Sequence, residues 1–246
     1  MDIATFQVLG PVTAVDRAGA AVPLHAAKTR TLLAALLAHA NTRVATDALL
    51  GALWPHRPPR SARANLQTYV SALRRVLPRG QKRLVHDRAG YRLVVQPGEL
   101  DLHAFEELVS RGRRELAAGQ PERAAETLRR ACALWRGEPF EDVPHAADAA
   151  YVQRLREDRW HARESLVQIR LWLGANAELV TDLEAMVAEE PLRERLWLLL
   201  MLALSGSGRR AEALSCYQRL YRLLDVELGI APGDELRRLH QRILVT

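Results

Sequence analysis

Residues 61–77 contain asparagine, glutamine and arginine, which are the side-chain types that pair with nucleobases. Asn65, Gln67 and Arg74 can each form two hydrogen bonds in the major groove, the amides with adenine and the guanidinium with guanine. The outward residues around them are small, polar or basic, and small residues let a helix backbone approach the base edges. These residue types indicate that the segment recognises bases in the major groove of duplex DNA. The alternative is a solvated helix with ordinary surface arginines.

The spacing of apolar residues predicts that this segment is one amphipathic helix. A single stripe at i, i+4, i+7 and i+11 is formed by Leu66, Val70, Leu73 and Leu77. The opposite side holds Ala64, Thr68, Ser71 and Arg75. We expect the stripe to be buried and the opposite side to face a partner.

Two β-prone runs after this helix predict a hairpin. Residues 84–85 and 91–95 are joined by a short segment that ends in Gly90, which favours a tight turn. Arg88 falls at the tip, with Tyr91 and Arg92 near it. A helix followed by a basic hairpin is the helix-and-wing arrangement, in which the hairpin lies along the DNA backbone or minor groove.

Two further short helices are predicted upstream, at residues 29–40 and 46–54. Thr46 or Asp47 is the expected N-cap of the second helix. Three helices and a hairpin make a winged helix-turn-helix. Residues 55–60 contain three prolines and are expected to form a rigid basic loop, which is either a surface for another protein or a spacer.

The first residues of the chain are predicted to form a small sheet. Residues 6–15 and 21–24 are interpreted as short strands around a polar turn at residues 16–19. Patterning typical of a sheet ends at residues 97–98, which is the best candidate for a domain boundary.

Charge divides the 246 residues into a basic and an acidic part. Residues 1–98 hold 14 Lys and Arg against 4 Asp and Glu, a net charge of +10, whereas the remainder has a net charge of −4. Phosphate contacts supply most non-specific affinity for nucleic acid. The basic part is therefore the one suited to a polyanion.

Glycines at three positions mark helix pairs in the acidic part. Gly119, Gly174 and Gly208 are each followed, five, nine and twelve positions later, by residues suited to packing between helices. The last two glycines are 34 residues apart, the period of tetratricopeptide repeats. An insertion is expected around residues 135–140. Such repeats bury their apolar faces against neighbours and form a curved solenoid with a concave surface for a partner.

The predicted fold is mainly α with a small β component. It consists of a winged helix-turn-helix at residues 1–98 and an all-α tetratricopeptide-like repeat domain at residues 99–246. Six residues are expected to fill the helical core, and these are Cys132, Cys216, Trp135, Trp160, Trp172 and Trp197.

The sequence contains no nucleotide-binding, metalloprotease or hydrolase motif. We therefore expect neither an enzyme nor a cofactor or metal site. The longest uncharged run, residues 196–208, falls short of the roughly 20 residues that a bilayer span needs. The expected location is the cytoplasm, in association with the nucleoid, with no membrane partner.

Seven motifs make the chain resemble the Streptomyces antibiotic regulatory protein family. They are FQVLGPV at 6–12, LLGALW at 49–54, LQTYVSALRR at 66–75, GYRL at 90–93, ALWRGEPF at 133–140, PLRERL at 191–196 and ELGIAPGDEL at 227–236. The resemblance covers nearly the whole chain. It implies an OmpR-type winged helix followed by a bacterial transcriptional activation domain.

The resemblance also implies a function and its partners. Members of the family are activators that bind short direct repeats in double-stranded promoter DNA next to the −35 region. Two protomers bind head to tail, as a homodimer on DNA, and recruit RNA polymerase through its sigma factor. Their targets are typically gene clusters for antibiotics and other secondary metabolites.

Carried over residue by residue, the resemblance predicts a DNA-binding surface. On the DNA-facing helix it places Asn65, Gln67, Thr68, Ser71, Arg74 and Arg75. Arg88 and Tyr91 fall in or beside the wing, and Lys28 or Arg30 is expected to hold phosphates. Many relatives carry arginine where this chain has Gln67 and Ala72. At the first of these positions, glutamine favours adenine over guanine.

Two other classes of function compete with DNA-dependent activation. A tetratricopeptide adaptor whose N-terminal domain binds protein would not need the net charge of +10 in the first 98 residues. An enzyme that acts on nucleic acid would need a metal or nucleophile constellation, and the sequence shows none.

Overall fold

The computed structural model describes residues 3–16, 18, 20–24, 26–77, 79–87 and 89–245. The strands along these residues are Ile3–Gln7 (β1), Thr13–Asp16 (β2), Arg43–Ala45 (β3), Leu84–Asp87 (β4) and Gly90–Leu93 (β5). The first helices are Ala27–Leu37 (α1), Thr46–Leu53 (α2), Ala62–Val76 (α3), Gly80–Arg83 (α4) and Asp101–Ala117 (α5). The later helices are Pro121–Cys132 (α6), Ala149–Trp172 (α7), Asn176–Glu189 (α8), Glu194–Gly206 (α9), Arg210–Leu228 (α10) and Asp234–Val245 (α11). The mainly helical fold with small sheets is the predicted one.

The chain packs into two compact units. The first unit comprises residues 1–110 and 130–160, and the second comprises residues 111–129 and 161–246. Neither unit is a continuous stretch of chain. The predicted division at residue 98 followed the change from strands to helices, and it stays a prediction.

Helices α1, α2 and α3 and a three-stranded antiparallel sheet form the winged helix of the first unit. The strand order is β3, β5, β4, so the last strand of the hairpin lies in the centre. Helix α3 forms where the apolar stripe predicted it. All four side chains of the stripe are at most 3% exposed, because they face the other two helices and the sheet.

Strand β3 and the start of α2 differ from the prediction. The sequence pattern did not indicate β3, and the predicted N-cap at Thr46 or Asp47 was wrong, because Ala45 occupies that position and offers no capping side chain. The strand leads directly into the helix, and the backbone N–H of Thr46 donates to the carbonyl of Ala89 at 3.0 Å.

Gly90 allows the sheet to close on β3. A Cβ atom at this position would lie 2.1 Å from the carbonyl oxygen of Val44, which is far inside van der Waals contact. The glycine that the sequence suggested as a turn residue is thus required by the close approach of two strands.

The prediction of a single strand over residues 6–15 was wrong. Strands β1 and β2 form an antiparallel hairpin, and residues 8–12 between them leave the ladder. Gly10 has a φ of +149°, which favours glycine, and Pro11 has no N–H to donate. Residues 21–24, also predicted as a strand, contribute a single bridge between Ala21 and Val15.

The backbone between β1 and β2 is hydrogen-bonded by distant residues of the same unit. The carboxylate of Asp101 accepts from the N–H of Val8 at 2.9 and 3.0 Å and from that of Leu9 at 3.1 Å. The carbonyls of Leu9 and Val8 accept from the N–H groups of Arg136 and Phe140, at 2.8 and 3.0 Å. These bonds satisfy polar groups that the ladder leaves unpaired.

Residues 134–143, which we call the clasp segment, hold the N-terminal hairpin. Trp135 packs edge-on against Phe105, with ring centroids 5.3 Å apart. Asp142 accepts from the N–H of Val12 at 2.8 Å. The predicted insertion between repeats is therefore a structural part of the first unit.

The second unit consists of helices packed in sequence, with α9 between α8 and α10 and with α11 against α9 and α10. Gly119, Gly174 and Gly208 end helices at positive φ of 71°, 89° and 78°. The residues of this unit at the predicted packing positions are at most 8% exposed, and these are Ala124, Leu128, Leu179, Leu183, Met186, Ala213, Tyr217 and Leu220. The repeat pattern in the sequence correctly predicted these buried positions.

Two core predictions need correction. Trp172 is 64% exposed, because it lies at the last position of α7 on a stripe that faces a groove rather than another helix. Cys132 is half-buried rather than buried, whereas Cys216 is only 2% exposed. Among the described residues, no helix combines the length and apolar character that a bilayer crossing requires.

Candidate nucleic-acid interface

The outward side of α3 is a continuous exposed strip. It consists of Ala64, Gln67, Thr68, Ser71 and Arg75, all of which are exposed. At a rise of 1.5 Å per residue the strip is about 16 Å long, and the major groove of B-DNA is about 12 Å wide. No bulky apolar side chain stands on the strip, so a base edge could approach the backbone closely.

Two polar side chains near the start of α3 make local hydrogen bonds. The hydroxyl of Thr68 donates to the carbonyl of Ala64 at 3.2 Å. The amide nitrogen of half-buried Asn65 donates to the hydroxyl of Ser61 at 3.2 Å. The amide NH₂ group has a second N–H, so Asn65 keeps one donor and its carbonyl oxygen for a two-point contact with adenine.

Arg74 and Arg75 are adjacent in sequence but have different surroundings. Arg74 donates through Nε and Nη2 to the carbonyl of Leu84, at 3.0 and 2.8 Å. Its guanidinium therefore ties α3 to the first strand of the wing. Arg75 is exposed and forms no ion pair with any described residue.

The wing places its predicted residues differently. Tyr91 is 6% exposed, and its ring lies 4.8 Å from that of His86, so it supports the hairpin from within. Arg88 lies outside the described residues.

A second basic pair lies on the wing sheet. Arg43 of β3 and Arg92 of β5 are direct cross-strand partners, and both are exposed. Like charges directly opposite each other destabilise a sheet unless a counter-charge is present. The sequence could not reveal that Arg43 pairs with Arg92, because β3 has only three residues, too few for a strand pattern to be recognised. Neither arginine of this pair forms an ion pair with a described residue.

The two α1 residues proposed as phosphate ligands have internal partners. The ammonium of Lys28 donates to the carbonyl of Leu53 at the end of α2 and lies 5.5 Å from the ring centroid of Trp54. The Nε of Arg30 is 3.1 Å from a carboxylate oxygen of Asp142 in the clasp segment. Both side chains are half-buried and engaged within the first unit.

Both parts of the chain match a known protein family. Residues 100–244 match the bacterial transcriptional activator domain, and residues 20–93 match the C-terminal domain of transcriptional regulatory proteins.

Curated relatives align over nearly the whole chain. Regulatory protein AfsR of Streptomyces griseus is 39% identical over 99% of this chain, and the chain spans about a quarter of the length of that relative (25%). Regulatory protein DnrI of Streptomyces peucetius is 36% identical over 96% of this chain and 90% of its own length. Transcriptional regulator RedD of Streptomyces coelicolor is 35% identical over 96% of this chain.

A solved structure has the same fold. Mycobacterium tuberculosis EmbR, solved in complex with a low-affinity phosphopeptide, superposes with a TM-score of 0.93 at 34% identity. The match covers 98% of this chain and 65% of that chain. The domains and relatives are transcriptional regulators rather than enzymes, as the sequence predicted. The chain belongs to the Streptomyces antibiotic regulatory protein family of transcriptional activators.

Proposed function

We propose that the chain binds double-stranded promoter DNA in a sequence-specific manner by inserting α3 into the major groove. The observation that carries the proposal is the exposed strip from Ala64 to Arg75, which is long enough for the groove and free of bulky apolar groups. The net charge of +10 over residues 1–98 supports the same surface.

The side chains divide into base-reading and positioning groups. Gln67, Thr68, Ser71 and Arg75 stand on the strip and read base edges. Half-buried Asn65 joins them through its carbonyl oxygen and the N–H that it does not donate to Ser61. Arg74 acts through the wing, since its guanidinium fixes the carbonyl of Leu84. It is a positioning residue rather than a base contact.

Phosphate contacts come from the wing sheet. Arg43 and Arg92 place two cationic groups side by side on one exposed face, where a phosphate would relieve their mutual repulsion. Lys28 and Arg30 contribute indirectly, by holding the end of α2 and the clasp segment in place.

Activation and targets are proposed from family membership. Two protomers bind direct repeats next to the −35 region head to tail and recruit RNA polymerase through its sigma factor. The regulated genes are those of a secondary-metabolite cluster, as in the family, and the protein acts in the cytoplasm at the nucleoid. The helical residues 99–246 are proposed as the activation domain.

Footprinting with the full chain on the DNA that flanks its own gene tests the proposal. We expect protected direct repeats, and we expect Arg75→Ala to weaken binding by about tenfold, since one base-reading pair contributes roughly 1 to 3 kcal/mol. Arg123→Ala is the matched control, because this arginine is exposed on α6. Uniform weak protection of all DNA, unchanged by Arg75→Ala, would contradict the assignment of α3 as the reading helix.

A further inference from the structure

A groove of about 390 Å³ lies in the second unit. Its floor is one stripe of α7, in which His161, Ser165, Gln168 and Trp172 repeat at i, i+4, i+7 and i+11. Arg113 of α5 and Arg195 of α9 also line it. The groove therefore combines a polar helical floor, an indole at one end and guanidinium groups from two other helices.

The indole in this groove belongs to Trp172, and packing within the second unit does not account for its exposure. Trp172 is 64% exposed, whereas Trp135, Trp160 and Trp197 are at most 8% exposed and Trp54 is half-buried. Tryptophan is among the residues that contribute most to protein interfaces when a partner covers them. An exposed indole that lines a groove is thus a candidate anchor.

The charged groups around the indole leave a net positive field. Arg113 is exposed and forms no ion pair with any described residue. Arg195 donates to Gln168 at 2.8 Å and lies 3.3 Å from a carboxylate oxygen of Glu235, which is 72% exposed. An ion pair so exposed to solvent is weak, so Arg195 can exchange Glu235 for a carboxylate that binds it better.

The acidic side chain in the groove does not cancel this field. Glu164 lines the groove, but its carboxylate is paired with Nε of Arg193, and both side chains are largely buried. Its charge is therefore already compensated. Glu164 is the one acid among the described residues that line the groove, so a carboxylate that enters meets the guanidinium groups of Arg113 and Arg195.

We propose that this groove binds an acidic segment of a partner protein in which a large apolar side chain is flanked by carboxylates. The apolar side chain packs on Trp172, and the carboxylates pair with Arg113 and Arg195. Arginine pairs with carboxylates through two parallel hydrogen bonds, which gives both affinity and orientation. The site is separate from the α3 strip and does not depend on DNA binding.

Fluorescence of the full chain tests the proposal directly. Iodide quenches exposed indoles, so in this chain it reports mainly on Trp172. The probe is a short synthetic peptide with a central phenylalanine flanked by aspartates. Two comparison peptides carry lysines in place of the aspartates or alanine in place of the phenylalanine. We expect the first peptide alone to protect Trp172 from quenching, in a saturable manner.

Variants distinguish binding in the groove from general attraction between charges. Binding is measured by the fluorescence anisotropy of the labelled peptide. Arg113→Ala and Trp172→Ala should each weaken binding by about tenfold, as interface anchors do. Arg113→Glu should weaken it further. Arg123→Ala and Val226→Ala, both exposed, are controls and should change affinity less than about twofold. All five proteins should retain the melting temperature of the parent.

Three results would overturn the proposal. They are equal binding of the aspartate and lysine peptides, the same affinity in Arg113→Glu as in the parent, and saturable protection of Trp172 by a single-stranded oligonucleotide but not by the aspartate peptide. The last result would assign the groove to nucleic acid instead.

Discussion

Replacement of Asp101 should destabilise the first unit. The loss of stability should be larger when both acceptor oxygens of the carboxylate are removed than when one is kept. The carboxylate is 4% exposed and is the acceptor for the N–H groups of Val8 and Leu9, which are themselves fully buried. A buried donor left without a partner costs about 1 to 3 kcal/mol. Asp101→Ala leaves two such donors unpaired and removes a partner of Arg136. The variant does not have to bury a charged carboxylate, and this gain offsets part of the loss. We expect a loss of about 3 kcal/mol.

Asp101→Asn is the graded control for this prediction. The amide keeps one oxygen, which can still accept from Leu9 and Val8, but its NH₂ group cannot accept. The expected loss is about 1 to 2 kcal/mol. For a chain of this size 1 kcal/mol shifts the melting temperature by roughly 2 to 4 °C. Thermal unfolding followed by circular dichroism measures both variants. A melting temperature of Asp101→Ala within about 1 °C of the parent would refute the assignment.

The same carboxyl group predicts a pH dependence. Burial raises the pKa of Asp101 above its ordinary value of 3.8, although the hydrogen bonds from Val8 and Leu9 and the charge of Arg136 act in the other direction. The native state therefore binds this proton more tightly than the unfolded state. The stability difference between the parent and Asp101→Asn should be fully present below the ordinary pKa of 3.8 and should decrease as the pH rises from there through the native pKa. A difference that increases with pH would contradict this sign.

Substitutions at four further positions test the winged helix. Gly90→Ala should cost about 3 kcal/mol, the upper end of the usual range for overpacking, because its Cβ would meet the carbonyl of Val44; urea unfolding measures this. Arg74→Ala should lose about 1 to 2 kcal/mol of stability with its charged hydrogen bonds, and Arg74→Lys should not restore it, since lysine cannot make both bonds. Arg43→Ala and Arg92→Ala should leave stability unchanged or slightly higher but lower DNA affinity. Each should reduce the salt dependence of binding by about one unit of slope, and an unchanged slope would exclude a phosphate contact.

Elements with a local pattern were predictable from the sequence. The stripe of Leu66, Val70 and Leu73 fixes which side of α3 is buried, and the glycine periodicity marks the helix pairs of the second unit. Both signals lie within a few turns of chain, so hydrophobic period and turn residues suffice to read them.

The rest depends on contacts between residues far apart in sequence. The pairing of Asp101 with Val8 spans 93 residues, and Arg30 meets its partner in the clasp segment. No local sequence pattern predicts a pair of residues that lie so far apart in the chain. Arg30 therefore looked available for phosphate, and residues 6–15 looked like one strand. Trp172 was misassigned because a helical stripe that faces a groove has the same period as one that faces a core.

The route of the chain through the two units has a consequence for synthesis on the ribosome. The chain enters the second unit at residue 111, returns to the first at 130 and leaves it for good after 160. Domains usually fold one after another as they emerge. Asp101 is already present, but the nascent first unit must wait for residues 130–160 before the carbonyls of Val8 and Leu9 and the N–H of Val12 find their partners. A ribosome that stalls before that point would hold a DNA-binding unit with its buried hairpin uncovered, a ready target for chaperones and proteases.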